Sequence, residues 1–66
     1  MTIHAIITVD DDRWAKHLYG VKFDNEECNS RFHRNGLDDR EACFRVVAQA
    51  KVAGYDIDNN VEEMFY

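Results

Sequence analysis

Residues 38–53, DDREACFRVVAQAKVA, followed by Gly54, are the stretch around which the rest of the chain is organised. Asp38 and Glu41 are spaced as a capping box. The Asp38 carboxylate accepts from the orphan N–H groups of a first turn, and Glu41 reaches back to the Asp38 N–H. Asp38, Asp39 and Glu41 also set negative charge at the positive end of the helix dipole, and Lys51 sets positive charge at the other. Gly54 suits the left-handed position just past a helix, with Tyr55 next to pack back on it. Cys43, Val46, Val47, Ala50 and Ala53 recur at steps of three and four. This spacing predicts one long helix over 38–53 with an apolar stripe turned to a core.

Upstream, Asn35–Gly36 is a strong turn signal, and Leu37 stands where it can staple onto the first helical turn. Cys28–Arg34, CNSRFHR, reads as a short strand with Cys28, Ser30, Phe32 and Arg34 on one face, and Asp24–Asn25–Glu26–Glu27 before it reads as an acidic turn. Residues 14–23, WAKHLYGVKF, fit two states. As a strand they place Ala15, His17, Tyr19, Val21 and Phe23 on one face, and Trp14, Lys16, Leu18, Gly20 and Lys22 on the other. As a short helix they place Trp14 and Leu18 one turn apart, with Gly20 ending it. The strand is preferred, as hairpin partner of Thr2–Val9. There Ile3, Ala5, Ile7 and Val9 alternate with Thr2, His4, Ile6 and Thr8, and the first set should face the helix. Asp10–Asp11–Asp12–Arg13 closes that strand, because adjacent carboxylates repel and favour a solvated turn.

Downstream, residues 58–66 fit either a short helix capped by Asn60 with Glu63, or an extended tail along the sheet edge. The order of elements predicts the α+β class: a small two-layer domain, its antiparallel sheet of two to three strands, with one long helix on one face and a short C-terminal segment.

Sixty-six residues make a single domain, 1–66. A chain this short buries only about 60% of the surface its unfolded form exposes. The net charge of −5 argues against nucleic acid as the main ligand, because phosphate binding needs a cationic surface. It suits docking on a basic protein partner. The opening MTIHAIITVDDD lacks the basic and apolar regions of a secretory signal, and no apolar run approaches the roughly 20 residues of a membrane span. A cytoplasmic, reducing location with Cys28 and Cys43 as free thiols is therefore expected, and no membrane contact.

The candidate chemistries are weak. Asp10 and Asp12, with Glu27 or Asp24 recruited from afar, would make a divalent-metal hydrolase; a charged hairpin tip explains the same residues. Cys28, His33 and Cys43, with His17 or His4, lack the close ligand pairing of zinc modules. Cys28 beside His33 as a nucleophile would need a substrate pocket that so small a chain has little room for. Arg13, Lys16, His17, Lys22, Arg31, His33 and Arg34, with Trp14, Tyr19 and Phe32 among them, could stack on single-stranded nucleic acid, but Asp10–Asp12 and Asp24–Glu27 punctuate the same region. No metal, cofactor or enzymatic step is expected.

The informative feature is a surplus of apolar side chains. With the core assigned to the first strand, to Tyr19, Val21 and Phe23 and to the helical stripe, Ile6, Trp14 and Leu18 fall on the far side of the sheet. Phe44, Ala48 and Val52 form a second helical stripe, and Met64, Phe65 and Tyr66 remain in the tail. Either the tail folds over one of the extra faces, or those faces meet a partner. The second reading makes the chain a small protein-binding module, an inhibitor or neutraliser of a larger basic protein, with homodimerisation as a variant. Its contact residues would be Ile6, Trp14, Leu18, Phe44, Phe65 and Tyr66, with Asp10, Asp11 and Asp12 pairing the partner's rim. The order strand, acidic turn, strand, and then Gly36, Asp38, Glu41 and Ala42 opening a helix resembles small antitoxin domains of the HicB kind. That resemblance implies a short sheet covered by one helix and carries no functional residue across.

Overall fold

The computed structural model describes residues 2–10 and 18–65. It is an α+β domain with a mixed four-stranded sheet and two helices. In chain order these are β1 (Ala5–Asp10), β2 (Leu18–Phe23), α1 (Glu26–Phe32), β3 (Arg34–Leu37), α2 (Arg40–Val52) and β4 (Glu62–Phe65). The strands lie in the order β3-β2-β1-β4.

The hairpin forms as its alternation requires. β1 and β2 pair antiparallel from Ala5↔Phe23 to Asp10↔Leu18. Ala5, Ile7, Val9, Val21 and Phe23 are buried on one face, and Ile3 joins them through a bridge to Ile57. Asp24 locks the open end of the hairpin. Its carboxylate accepts from the His4 N–H at 2.8 Å, and its own N–H donates to the His4 carbonyl at 3.1 Å.

The expected strand over Cys28–Arg34 is a helix instead. Asn25 is its N-cap, its side-chain oxygen accepting from the Cys28 N–H at 2.9 Å. Glu26 and Glu27 then stand in the first turn, at the positive end of the dipole. What reads as an acidic turn is thus a helix start. Asn29 ties this helix to the sheet by accepting from the Phe23 N–H at 2.9 Å. The third strand is β3, which contains the Asn35–Gly36 pair rather than ending before it. Tyr19 faces Leu37 and Val21 faces Arg34, so Asn35 and Gly36 together oppose Gly20. This is a bulge, and Gly36 takes φ 70° within it, a value natural to glycine.

The long helix is present, three residues shorter than the expected 38–53. Its N-cap is Asp39, not Asp38, with the Asp39 carboxylate accepting from the Ala42 N–H at 2.8 Å. Glu41 therefore falls too early for a capping box and instead pairs with Arg45 at 3.6 Å along the exposed surface. The C-terminus follows the expected glycine motif. Gly54, at φ 106°, donates to the Lys51 carbonyl and Tyr55 to the Ala50 carbonyl. Cys43, Val46, Val47 and Ala50 are buried, while Ala53, assigned to the same stripe, is exposed.

The C-terminal segment is extended. β4 pairs parallel with β1, Ile6↔Glu62 through Val9↔Phe65, so the sheet is mixed rather than antiparallel. Ile3 and the segment 56–58 exchange backbone hydrogen bonds of 2.7 and 2.8 Å and lead the chain into this pairing. The core is one cluster on the helix side of the sheet, with Cys28 and Cys43 both fully buried in it. Among the described residues no helix is long and apolar enough to cross a membrane.

Two outcomes follow. Asn25→Ala should destabilise the fold by about 1 kcal/mol, read by denaturant unfolding, because a cap is lost from a helix of barely two turns. Burial pushes both thiols above their ordinary pKa. A thiol held protonated in the fold but free to ionise when unfolded contributes stability below its unfolded pKa, about 8.5, and that contribution is lost as pH rises toward the raised folded value. Melting temperature should therefore fall between pH 8 and pH 10, and fall less in a Cys28→Ala, Cys43→Ala double variant.

Candidate functional site

Both helices lie on the same side of the sheet, against the face carrying Ile7, Val9, Val21 and Phe23. Strand alternation then fixes what the opposite face shows. One row runs Lys22, Ile6, Glu62. The next runs Gly20, Thr8, Met64, and a third begins with Leu18 beside Asp10. Among the described residues no element lies over this face. Leu18 is 39% exposed and Met64 42%, with Ile6 and Thr8 half-buried between their neighbours.

The centre of the face is closely packed around Gly20. A Cβ placed on Gly20 would stand 2.6 Å from the Thr8 Oγ1 and 3.1 Å from both the Arg34 carbonyl oxygen and the Asn35 Oδ1. Glycine is required here by close approach rather than by backbone angle. Thr8, Arg34 and Asn35 atoms fill this spot, with Ile6, Leu18 and Met64 around it and Asp10, Lys22 and Glu62 further out. Gly20 within a strand was the available signal for such an approach. The contributions of Met64 and Glu62 could not be read from sequence, because they depend on β4 joining β1.

The residues expected to contact a partner do not share one surface. Ile6, Asp10 and Leu18 lie together on the open face. Phe65 pairs with Val9 and so lies on the helix side of the outer strand, 68% exposed. Phe44 is on α2, 46% exposed. Asp11, Asp12, Trp14 and Tyr66 lie outside the described residues.

The other candidate chemistries are dispersed. Asp10 and Asp24 stand at opposite ends of the β1–β2 ladder. Five residue steps separate the ends, roughly 17 Å, far beyond a shared metal's reach. Glu27 accepts from the Tyr55 hydroxyl at 3.1 Å on α1. Among the described residues no group of three metal-ligating side chains converges. Cys28 and Cys43 are free thiols, and the Cys43 sulfur points at the Gly20 and Asp39 carbonyls. Tyr19 and Phe32, the aromatics considered for base stacking, pack against the core. The Arg31 guanidinium lies over the Phe32 and Tyr55 rings, 5.5 and 5.8 Å from their centroids, and donates to the Tyr55 hydroxyl. Comparison with family models, with curated proteins and with solved structures gave no match.

The close approach at Gly20 makes a specific demand. Gly20→Ala should destabilise the fold by about 1–3 kcal/mol, since the Thr8 side chain is branched and a backbone carbonyl crowds the same spot. Thr8→Ala should recover part of that loss. The non-additivity of the two changes in a double-mutant cycle measures the contact.

Proposed function

We propose that this chain is a protein-binding module that docks on a larger protein through the open face of its sheet and inhibits or neutralises that protein. One observation carries the reading. Among the described residues both helices lie on one side of the sheet, and the other side carries Ile6, Leu18 and Met64 rather than a uniformly polar surface. Apolar groups ringed by charge are the usual anatomy of a recognition patch. Asp10 and Glu62 at its margin, with a net charge of −5, favour a partner whose rim is basic. The free, buried thiols agree with a cytoplasmic setting. The reading assigns no catalytic step and no cofactor.

Purification from the native host with tagged wild-type, Leu18→Lys and Phe44→Lys chains, each verified as folded by circular dichroism, tests this. A partner held by wild type and Phe44→Lys should be lost with Leu18→Lys, a weakening of more than about 2 kcal/mol for a central contact residue. Equal retention by all three rejects the open face. Light scattering on the pure protein distinguishes a heterologous partner from self-association.

A further inference from the structure

The sheet has two edges, and they differ. β3 is blunted: the bulge at Asn35–Gly36 breaks its ladder with β2, and the exposed Arg34 opens it. Bulges and cations are common devices against strand addition. β4 carries no such break. Its four residues pair in unbroken register with β1, and among the described residues no strand lies beyond it. Edge strands offer alternate backbone N–H and carbonyl groups outward, a template for another extended chain.

The charge and shape around β4 specify what that chain would be. From Val52 to the C-terminus there is no lysine or arginine, against Asp56, Asp58, Glu62 and Glu63. Arg40 of α2 already compensates Glu63, at 3.0 Å, and His4 lies 3.6 Å from Asp58. Glu62 is exposed, on the open-face side of the strand. On the other side, α2 packs over β1, β2 and β3 and stops short of β4, leaving Phe65 uncovered. A strand laid beside β4 thus meets a carboxylate on one face and an aromatic ring on the other. Opposite charges and apolar groups across neighbouring strands are the pairs that stabilise a sheet.

We infer that the β4 edge is a strand-addition site for an extended segment of a partner protein in which basic and apolar residues alternate. This site adjoins the open face and shares Glu62 with its margin, but Leu18→Lys and the methylated peptides let the two readings fail separately. The probe is a capped hexapeptide alternating lysine and valine, titrated into the isotopically labelled full chain and followed by amide chemical shifts. Shifts should concentrate on Glu62–Phe65 and saturate. A glutamate–valine hexapeptide should leave them unmoved. Two versions of the lysine peptide, N-methylated on alternate amides in opposite phase, separate backbone pairing from simple charge attraction. One phase should weaken binding by about tenfold or more, and the other should not. Glu62→Lys should weaken binding to a similar degree, while Leu18→Lys leaves it unchanged. Shifts centred on β3 or on the open face, or equal binding by both methylated peptides, would overturn the proposal. So would a concentration-dependent dimer that shifts the same β4 amides without peptide, because the occupant would then be a second copy.

Discussion

The structure depends on β1 being buried on one face while lying between two strands. Ala5, Ile7 and Val9 are at most 5% exposed, and they sit beneath the helix layer with β2 on one side and β4 on the other. A slip of one residue in this strand would bring Ile6 and Thr8 into the core and put Ile7 in water, so the register of the whole sheet is pinned by that alternation. The helices then have only one surface to cover. α2 supplies Cys43, Val46, Val47 and Ala50 to it, and α1 supplies Cys28.

Cys28 and Cys43 are among the most completely buried side chains, each reached from a different helix. In a core this thin, a small soft side chain lets a helix approach the sheet closely, and burial keeps the thiol protonated and unreactive. The helices are held by polar ties at their ends as well. Asn25 and Asp39 cap their first turns, Asn29 reaches the β2 backbone, and Tyr55 links the end of α2 to Glu27 and Arg31 of α1. A domain that buries so little depends on such ties more than a large one would.

How far the sequence could be read follows from the range of the interactions involved. The β1 alternation, the YGVKF strand and the α2 stripe were legible because each is a periodic signal over five or more residues. The Gly54 cap was legible because it is local chemistry. α1 was not, since a helix of seven residues completes too few turns for its period to outweigh a chance alternation at Cys28, Ser30 and Phe32. The acids before it also disguised Asn25 as part of a turn. β4 was left open between helix and extended tail. EEMF has no apolar alternation, and a parallel pairing with β1 across most of the chain leaves no local trace. The exposure of Leu18, Phe44 and Phe65 was anticipated from the count of apolar groups, but their placement on different surfaces required the topology.

The dimensions of the open face bear on what a partner must do. Four strands at about 4.8 Å spacing, two of six residues and two of four, at about 3.3 Å rise per residue make a face of roughly 300 Å². A stable protein–protein contact of ordinary size removes about 800 Å² from each partner. The flat face alone therefore falls short by more than half, and its margin carries Lys22, Asp10 and Glu62, which limits how much of it can be dry. A partner that relies on this domain must also engage a neighbouring surface. β4 adjoins the open face directly, through the Ile6↔Glu62 and Thr8↔Met64 pairs. On the proposed readings, a strand added at that edge would widen the sheet by one row and bring the partner's chain over the same Glu62 that borders the open face. Geometry thus makes face and edge parts of one footprint, although each can be abolished alone.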